Sequence, residues 1–316
     1  MAAVGDNNFM RYVYRGEEGE FIPWRATHIT VAEDCTFIRA EAFIDHPNII
    51  EVICHDGVEK IEEYAFAHCL NLRRVIMPGV KIIERGAFQH CEALEDVECG
   101  KLEIIKEAAF GDCGSLRSVD LPSAKIIGEE AFGHCEALVD VKFGSKLEIC
   151  GWGAFLKCSS LERITIPLKD HLFGGYIITH DDMFMACVKL HHVNLVEGEV
   201  HETIDALHLD GWRNDMNEEI ESINHILPDT RAGYYNDENR GYAGEVAQEI
   251  RWWIRRVLGK IIHYQAKHQS ILDEAANTLQ FTLPHDIVFN NILPFLSLPS
   301  HTFEVERYVY REVQAE

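Results

Sequence analysis

The sequence predicts an α/β solenoid: a stack of about seven short coils that share a parallel sheet, followed by an α-helical carboxy-terminal region. Apolar residues recur every 22–23 residues over the first two thirds of the chain. Each period contains a short alternating segment typical of a β-strand, and beyond the last period the apolar spacing becomes helical. With 316 residues, the chain can bury a large core in this arrangement.

These patterns predict four consecutive segments. They are a capping segment over 1–28, the solenoid over 29–198, an acidic helix and loop over 199–244, and a helical region over 245–316. Because each coil covers the apolar edge of its neighbour, an open end of the stack needs a cover of its own.

A phenylalanine followed by a cysteine marks the coils. The seven phenylalanines are Phe43, Phe66, Phe88, Phe110, Phe132, Phe155 and Phe184, at spacings of 23, 22, 22, 22, 23 and 29 residues. Three residues after each comes a cysteine, except that His46 stands in the first coil; the cysteines are Cys69, Cys91, Cys113, Cys135, Cys158 and Cys187. A period in the low twenties is typical of stacked coils.

A pair of apolar residues two positions apart follows in every coil and predicts a strand with an inward face. The pairs are Val52/Cys54, Val75/Met77, Val97/Cys99, Val119/Leu121, Val141/Phe143, Ile164/Ile166 and Val193/Leu195, with Ile29/Val31 leading them. Pro78, Pro122 and Pro167 directly follow three of these pairs and end the strands.

From about Ile29 to Leu195, these residues resemble the leucine-rich repeats of the BspA type, known from surface-antigen-like proteins of bacteria and microbial eukaryotes. The shared pattern is a strand, an isoleucine, then Ala-Phe and Cys. The resemblance implies a right-handed leucine-rich-repeat stack that binds proteins, and it carries over no catalytic residue and no cofactor. We therefore predict a non-enzymatic protein–protein interaction scaffold.

The cysteines all fall on inward, apolar columns of the repeat. Besides the six already named, Cys35, Cys54, Cys99 and Cys150 replace apolar residues of other coils. Stacked side chains point the same way, whereas a disulfide needs two that converge, so free buried thiols are the expectation. Free thiols favour a reducing compartment, and residues 1–15 lack the apolar core of a signal peptide. We expect a cytoplasmic protein, with a nuclear location left open.

A polar column precedes the cysteines and contains His68, His90, Asp112 and His134. Histidine and carboxylate side chains are metal ligands, so a line of metal ligands is one interpretation. The other is a solvated polar column, which Lys157 interrupts. We expect the second and predict no metal site.

The outward positions of the strands form the first candidate binding surface, because solenoids usually present their strand face to partners. The candidates are Arg73, Arg74, Ile76, Glu95, Asp96, Glu98, Arg117, Asp120, Asp140, Lys142, Glu162 and Arg163. The alternative is a charge ladder between adjacent coils whose members satisfy one another. A second candidate is the insertion over 169–180, with His171, Phe173 and Tyr176, which otherwise serves to adjust the end of the solenoid.

The net charge of −23 narrows the class of partner. Nucleic acid and anionic membranes need a positive field, so we expect no nucleic-acid partner and do not expect a membrane partner. A protein partner remains the expectation. No run reaches the ~18–20 apolar residues of a membrane-spanning helix.

Two helices are predicted after the repeats. Apolar spacing indicates one from Asn214 to Leu227 and a long one from Glu245 to about Gln280, whose first half is basic. The long helix is expected to dock on the acidic remainder of the chain as a cap. A homodimer through the 245–280 helix and contact with a membrane surface are the alternatives.

Residues 283–313 resemble the start of an F-box, with Leu283-Pro284 and Ile292-Leu293 among the matching positions. That resemblance implies an alternative function, as a substrate adaptor of a ubiquitin ligase.

Overall fold

The structure is a computed structural model that describes residues 10–169, 171–172, 183–207, 209–233 and 244–280. The chain divides into two compact units. The repeat unit takes in the described residues of 10–167, 171–196 and 226–249, and the helical unit takes in those of 168–170, 197–225 and 250–280.

The described residues contain fifteen strands, numbered here in chain order. They are β1 Met10–Tyr14, β2 Ala26–Val31, β3 Phe37–Ile38, β4 Glu51–Ile53, β5 Lys60–Ile61, β6 Arg74–Ile76, β7 Ile82–Ile83, β8 Asp96–Glu98, β9 Ile104–Ile105, β10 Ser118–Leu121, β11 Ile126–Ile127, β12 Asp140–Phe143, β13 Ile149–Cys150, β14 Arg163–Ile166 and β15 His192–Leu195. All neighbouring strands run parallel. The parallel-sheet solenoid predicted from the repeat is therefore confirmed.

The strands line two faces of the solenoid. The front face has a five-stranded sheet, β1-β2-β4-β6-β8, and a four-stranded sheet, β10-β12-β14-β15. The back sheet has six two-residue strands in the order β13-β11-β9-β7-β5-β3. Six coils thus carry a described strand on both faces, while the coil around Phe184 contributes β15 to the front alone. The isoleucine that precedes Ala-Phe in the repeat lies in the back sheet with its side chain buried, for example at Ile61 and Ile83.

The phenylalanines form a continuous stack through the core. Their ring centroids lie 4.8 Å apart at Phe43–Phe66 and 5.7 Å apart at Phe155–Phe184. Neighbouring rings are stacked, with interplanar angles of 2–9°. Each ring is buried. Because each ring from Phe66 to Phe155 stacks on a ring on either side, the coils depend on one another for their burial.

The amino-terminal end of the stack is covered by β1, which the sequence did not predict as a strand. β1 pairs with β2, and the ring of Tyr14 lies 5.1 Å from that of Phe43. The Tyr14 hydroxyl also accepts a hydrogen bond from the backbone N–H of Arg39, at 3.1 Å. Tyr14 therefore caps the phenylalanine stack while its polar end keeps a partner.

The last coil is extended by residues 231–233. The backbone N–H of Lys157 donates to the carbonyl oxygen of Met185 at 2.9 Å, one rung of a ladder that repeats from coil to coil. In the final coil, Ala186 donates in the same way to Ala232, also at 2.9 Å. A short irregular segment thus supplies the acceptor that a further coil would otherwise provide.

The helical unit contains α1 Glu199–Asp205, most of α2 Asp210–Ile226 and most of α3 Val246–Gln280. The prediction missed α1, placed the start of α2 four residues late, and was within one residue for α3. The indole N–H of Trp253 on α3 donates to the carbonyl oxygen of Glu219 on α2, at 2.9 Å, and Tyr264 reaches Asp215. Later residues of α3 thus meet earlier residues of α2, so these two helices run antiparallel.

Among the described residues, no helix is long and apolar enough to cross a membrane.

Candidate interaction surface

The twelve residues predicted for the strand face all lie on the solvent side of the front face or directly beside its strands. Their side chains are exposed or half-buried, while the alternating residues Val75, Val119 and Val141 are buried. The outward orientation predicted from the period-2 pattern is therefore confirmed. A role for these residues in binding stays a prediction.

Arg74 organises the charges on one half of the front face. Its guanidinium lies 4.0 Å from a carboxylate oxygen of Glu51 and 3.1 Å from one of Asp96, and it also bonds to Glu98. The neighbouring coils therefore share one cation between three carboxylates. Exposed ion pairs of this kind contribute little to stability.

The other half of the front face is more loosely paired. Asp140 lies 3.9 Å from both Lys142 and Arg163. By contrast, Arg73, Arg117 and Asp120 make no salt bridge to any described residue. The alternative interpretation, a charge ladder between adjacent coils, would join Arg73, Glu95 and Arg117, but no ion pair between these residues is formed.

The back of the solenoid differs from the front because five of its cations have carboxylate partners. Lys81 bonds to Glu59 and Lys125 to Glu103, each at 2.7 Å. Three further cations also have partners: Lys60 and Lys106 both contact Glu84, and Arg85 contacts Glu107. The self-satisfied ladder expected as the alternative for the front thus occurs on the back.

The front face is interrupted between β8 and β10. These strands belong to neighbouring coils, yet no backbone hydrogen bond between described residues joins them. The phenylalanine spacing is the same 22 residues on both sides, so an insertion does not cause the interruption. Glu98 and Asp120, one period apart, are like charges at equivalent positions of the two strands, and such neighbours repel across a sheet.

The histidine column is explained by backbone conformation. Each residue that precedes the cysteine column has a positive φ, for example 59° at His68, 59° at Asp112 and 61° at His134. Aspartate and histidine are enriched in this left-handed region, which accounts for their recurrence. His90 and His134 lie 3.7 Å and 3.8 Å from Asp112, and the rings of His68 and His90 stack. Within the described ranges, no group of three or more His, Cys, Asp or Glu residues is arranged to hold a metal ion.

The cysteines are all free and buried, as expected. Those of the main column donate hydrogen bonds to the phenylalanine carbonyl of the preceding coil, for example Cys69 to Phe43 at 3.1 Å and Cys135 to Phe110 at 3.2 Å. Burial raises the pKa of both thiols to about 12. Because the thiolate is the reactive form, these cysteines are suited to packing and not to nucleophilic chemistry.

The second predicted surface is described only in part. His171 lies in the described residues and is half-buried, whereas Phe173 and Tyr176 lie outside them. The F-box-like residues 283–313 are also outside the described ranges. Neither the insertion nor the F-box likeness is tested by the structure.

A shallow cavity of about 410 Å³ lies along α2 and α3. Its charged lining is already paired: Lys260 lies 2.9 Å from Asp215 and 3.1 Å from Glu219, and Arg256 lies 2.8 Å from Glu219. The basic half of α3 therefore docks on acidic residues of α2, in part as the charge pattern predicted. No lining charge is left to select a ligand.

An exposed aromatic pair near the amino terminus was missed by the sequence reasoning. Phe21 is 79% exposed and Trp24 is 61% exposed, with the guanidinium of Arg25 lying over the Trp24 ring. The Asn48 amide holds the Trp24 carbonyl at 2.7 Å, and Asn71 holds that of Pro47 in the same way. The sequence does contain a sign of these two backbone contacts, because Asn48 and Asn71 occupy the same position of two consecutive coils.

The repeat pattern matches a described protein family. Residues 19–126 and 103–206 match the BspA type leucine rich repeat region in six copies, and together these ranges span more than half of the chain. The chain belongs to the BspA-type leucine-rich repeat family. Proteins built from these repeats are generally scaffolds for protein interaction and typically not enzymes.

Several solved structures are similar to this BspA-type chain. A leucine-rich repeat protein of T. pallidum is 22% identical, with 59% of this chain and 70% of that one covered and a TM-score of 0.35. A leucine-rich cell surface protein of Faecalibacterium prausnitzii is 17% identical, with coverage of 60% and 83% and a TM-score of 0.24. A leucine-rich repeat protein of Bacteroides ovatus is 20% identical, with 54% of this chain and 61% of that one covered and a TM-score of 0.26. No curated protein sequence gave a significant match.

Proposed function

We propose that this BspA-type protein is a non-enzymatic scaffold that binds a protein partner through the front face of its solenoid. The observation that carries the proposal is the contrast in charge pairing between the two faces. On the back, Lys60, Lys81, Arg85, Lys106 and Lys125 have carboxylate partners, whereas Arg73, Arg117 and Asp120 on the front have no ion-pair partner among the described residues. Unpaired, accessible charges are available to a partner without the loss of an existing ion pair.

The polar character of the front face also favours a protein over a small molecule. Ligand pockets for small molecules are concave and mostly apolar, whereas this surface is a sheet whose outward residues are predominantly charged. A sheet of this kind supplies complementary charge over several coils, which sets specificity and association rate.

Reversal of the unpaired front-face charges tests the proposal. Wild-type protein, the variant Arg73→Glu/Arg117→Glu and a control Lys101→Glu/Lys146→Glu are purified from cells of the source organism by the same affinity step. The control introduces the same charge change at exposed positions off the front face. We expect one partner to be retained in near-equal molar amount by wild type and control and lost from the front-face variant. Retention of the same proteins by all three would refute the front-face proposal.

We also propose a cytoplasmic location, with the ten free buried thiols as its support. Alkylation of the protein directly on lysis of the source cells, without reductant, should label ten cysteines after unfolding. Recovery of oxidised pairs would argue for an oxidising compartment instead. The insertion over 169–180, a homodimer through the 245–280 helix and the ubiquitin-ligase alternative remain predictions.

A further inference from the structure

The five residues Arg-Tyr-Val-Tyr-Arg occur twice in the chain, at 11–15 and at 307–311. The first copy contributes four residues to β1, the edge strand of the front sheet, which pairs with β2. The second copy lies outside the described residues. Because the two stretches are identical in sequence, the side-chain and backbone groups with which β1 docks are present a second time in the same chain.

Tyr14 anchors β1, and its partners lie beyond the connection that joins β1 to β2. Its ring lies 5.1 Å from the ring of Phe43. Its hydroxyl accepts the backbone N–H of Arg39 at 3.1 Å, and its carbonyl oxygen accepts that of Ala32 at 2.8 Å. Together with the edge of β2, these three residues form a docking site, here called the β1 groove. No residue of 10–25 belongs to the groove, so it does not depend on a covalent link to its occupant.

An empty β1 groove would be unfavourable. Tyr14 is 1% exposed, so loss of β1 would uncover the end of the phenylalanine stack and leave the N–H of Arg39 without its acceptor. A strand formed by 307–311 avoids both losses, because Tyr310 stands at the position of Tyr14 in the repeated sequence. One copy can therefore replace the other without a change in the contacts that the anchoring tyrosine makes.

The match between the two copies ends where β1 turns. Gly16 directly follows the first copy with a φ of 73°, and a Cβ atom there would lie 2.8 Å from the sulfur of Cys35. Glu312 stands at the equivalent position after the second copy. The second copy therefore has the residues to pair as a strand, but not the glycine to follow β1 into its turn, and it would leave the groove directly after Arg311.

We infer that the β1 groove is a strand-exchange site that takes residues 307–311 of the same chain in place of β1. The sheet edge supplies backbone hydrogen bonds, and the pocket at Phe43 supplies the preference for tyrosine. Residues 281–306 can span up to about 85 Å, so their length allows 307–311 to reach the groove. A segment of the same chain also has a higher effective concentration than one on a second molecule. The inference goes beyond the proposed front-face function, because exchange concerns the end of the front sheet and needs no partner.

Crosslinking of engineered cysteines in the full chain tests the exchange. Thr30 is exposed and is the β2 neighbour of Val13. When 307–311 occupies the groove, Val309 comes beside Thr30 instead. The protein Thr30→Cys/Val309→Cys is treated with a short bismaleimide, and the ten native cysteines are buried, which leaves the engineered pair to react. We expect the intramolecular crosslink to form about fivefold faster when Tyr14→Ala is added, because that substitution weakens the hold of β1.

Two further proteins locate the effect. Thr165 stands in the same outward column as Thr30, several coils away. Thr165→Cys/Val309→Cys should therefore crosslink slowly, with or without Tyr14→Ala. Addition of Tyr310→Ala to the protein that carries Thr30→Cys, Val309→Cys and Tyr14→Ala should remove the gain in rate, because the second copy then lacks its anchor as well.

Equal crosslinking from Thr30 and Thr165, or a gain that persists with Tyr310→Ala, would overturn the inference. A crosslinked dimer in place of the intramolecular product would give the segment to a second copy and overturn the same-chain assignment. Thermal unfolding shows whether each variant keeps its fold. Where Tyr14→Ala does not, Tyr14→Phe repeats the test, since it keeps the ring on Phe43 and loses only the hydroxyl. None of these outcomes affects the test of front-face binding.

Discussion

The thiol of Cys135 donates a hydrogen bond of 3.2 Å to the carbonyl oxygen of Phe110, one coil earlier. That oxygen also accepts the backbone N–H of Cys113 at 3.4 Å, so the thiol occupies its second acceptor position. The same contact recurs from Cys69 to Cys187. Cysteine is small enough for the crowded bend and carries a donor, which explains why this column is cysteine and not alanine or valine.

Replacement of Cys135 by alanine should therefore destabilise the repeat unit more than the same replacement at Cys150. Both side chains are buried, but no described hydrogen bond engages the Cys150 thiol. The two variants lose a similar side-chain volume, and this loss should lower the unfolding free energy of each by about 1–3 kcal/mol. Cys135→Ala also loses the thiol–carbonyl hydrogen bond, which should lower its unfolding free energy by about 0.5–1.5 kcal/mol more. Equilibrium urea unfolding measures both. Equal losses would show that the thiol–carbonyl contact contributes nothing.

The cysteines should resist modification for as long as the protein stays folded. Burial raises the pKa of Cys54, Cys69, Cys99 and Cys135 to about 12, so the thiolate fraction at pH 8 is small and access is blocked as well. A disulfide-exchange reagent should titrate fewer than one thiol in the native protein and ten after addition of guanidinium chloride. Several fast-reacting thiols in the native protein would contradict the packing of the core.

The sequence predicted the solenoid well because its coils are nearly identical in length and its phenylalanine, cysteine and leucine positions hardly vary from coil to coil. Phe110, Cys113 and Leu116 could be placed without coordinates, since burial at one coil implies burial at the next. β1 was missed because it follows no repeat: its assignment depends on pairing with β2 and on the contact of Tyr14 with Phe43.

The candidate surface was only partly predictable for a related reason. Periodicity fixes which residues point outward, but it does not fix which charges meet. Arg74 gathers Asp96 and Glu98, while Arg117, with an equally favourable neighbour in Glu95, makes no ion pair among the described residues. Equal coil lengths gave no sign of the interruption between β8 and β10, although the like charges of Glu98 and Asp120 can be read from the sequence.

Backbone conformation at His134 gives a third prediction. Its φ of 61° lies in the left-handed region, which a β-branched side chain tolerates poorly and asparagine tolerates well. His134→Val should lower the unfolding free energy by about 1–2 kcal/mol relative to His134→Asn. Both substitutions remove the imidazole and its contact with Asp112, so urea unfolding of the pair isolates the backbone effect. Equal stability of the two variants would assign the histidine column to side-chain contacts instead.

The helical unit should lose stability in acid through Asp215 and Glu219. Hydrogen bonds from Tyr264 and then Lys260 lower the pKa of Asp215. Partial burial alone would raise the pKa of Glu219, but hydrogen bonds from Arg256 and Lys260 outweigh it and lower that pKa as well. A carboxyl group whose pKa is lowered by folding contributes its stabilisation above its unfolded pKa, about 4, and loses it as the pH falls through the folded value.

Melting of the helices, followed by far-ultraviolet circular dichroism between pH 7 and pH 2, should therefore show a fall in midpoint that begins near pH 4. In Glu219→Gln the neutral amide cannot titrate, so this variant should be less stable than wild type at pH 7 and should show a smaller decrease below pH 4. Glu221→Gln, on the same helix but without an ion-pair partner among the described residues, serves as the control and should follow wild type. Parallel pH profiles for wild type and Glu219→Gln would show that the contacts of Glu219 with Arg256 and Lys260 do not hold the two helices together.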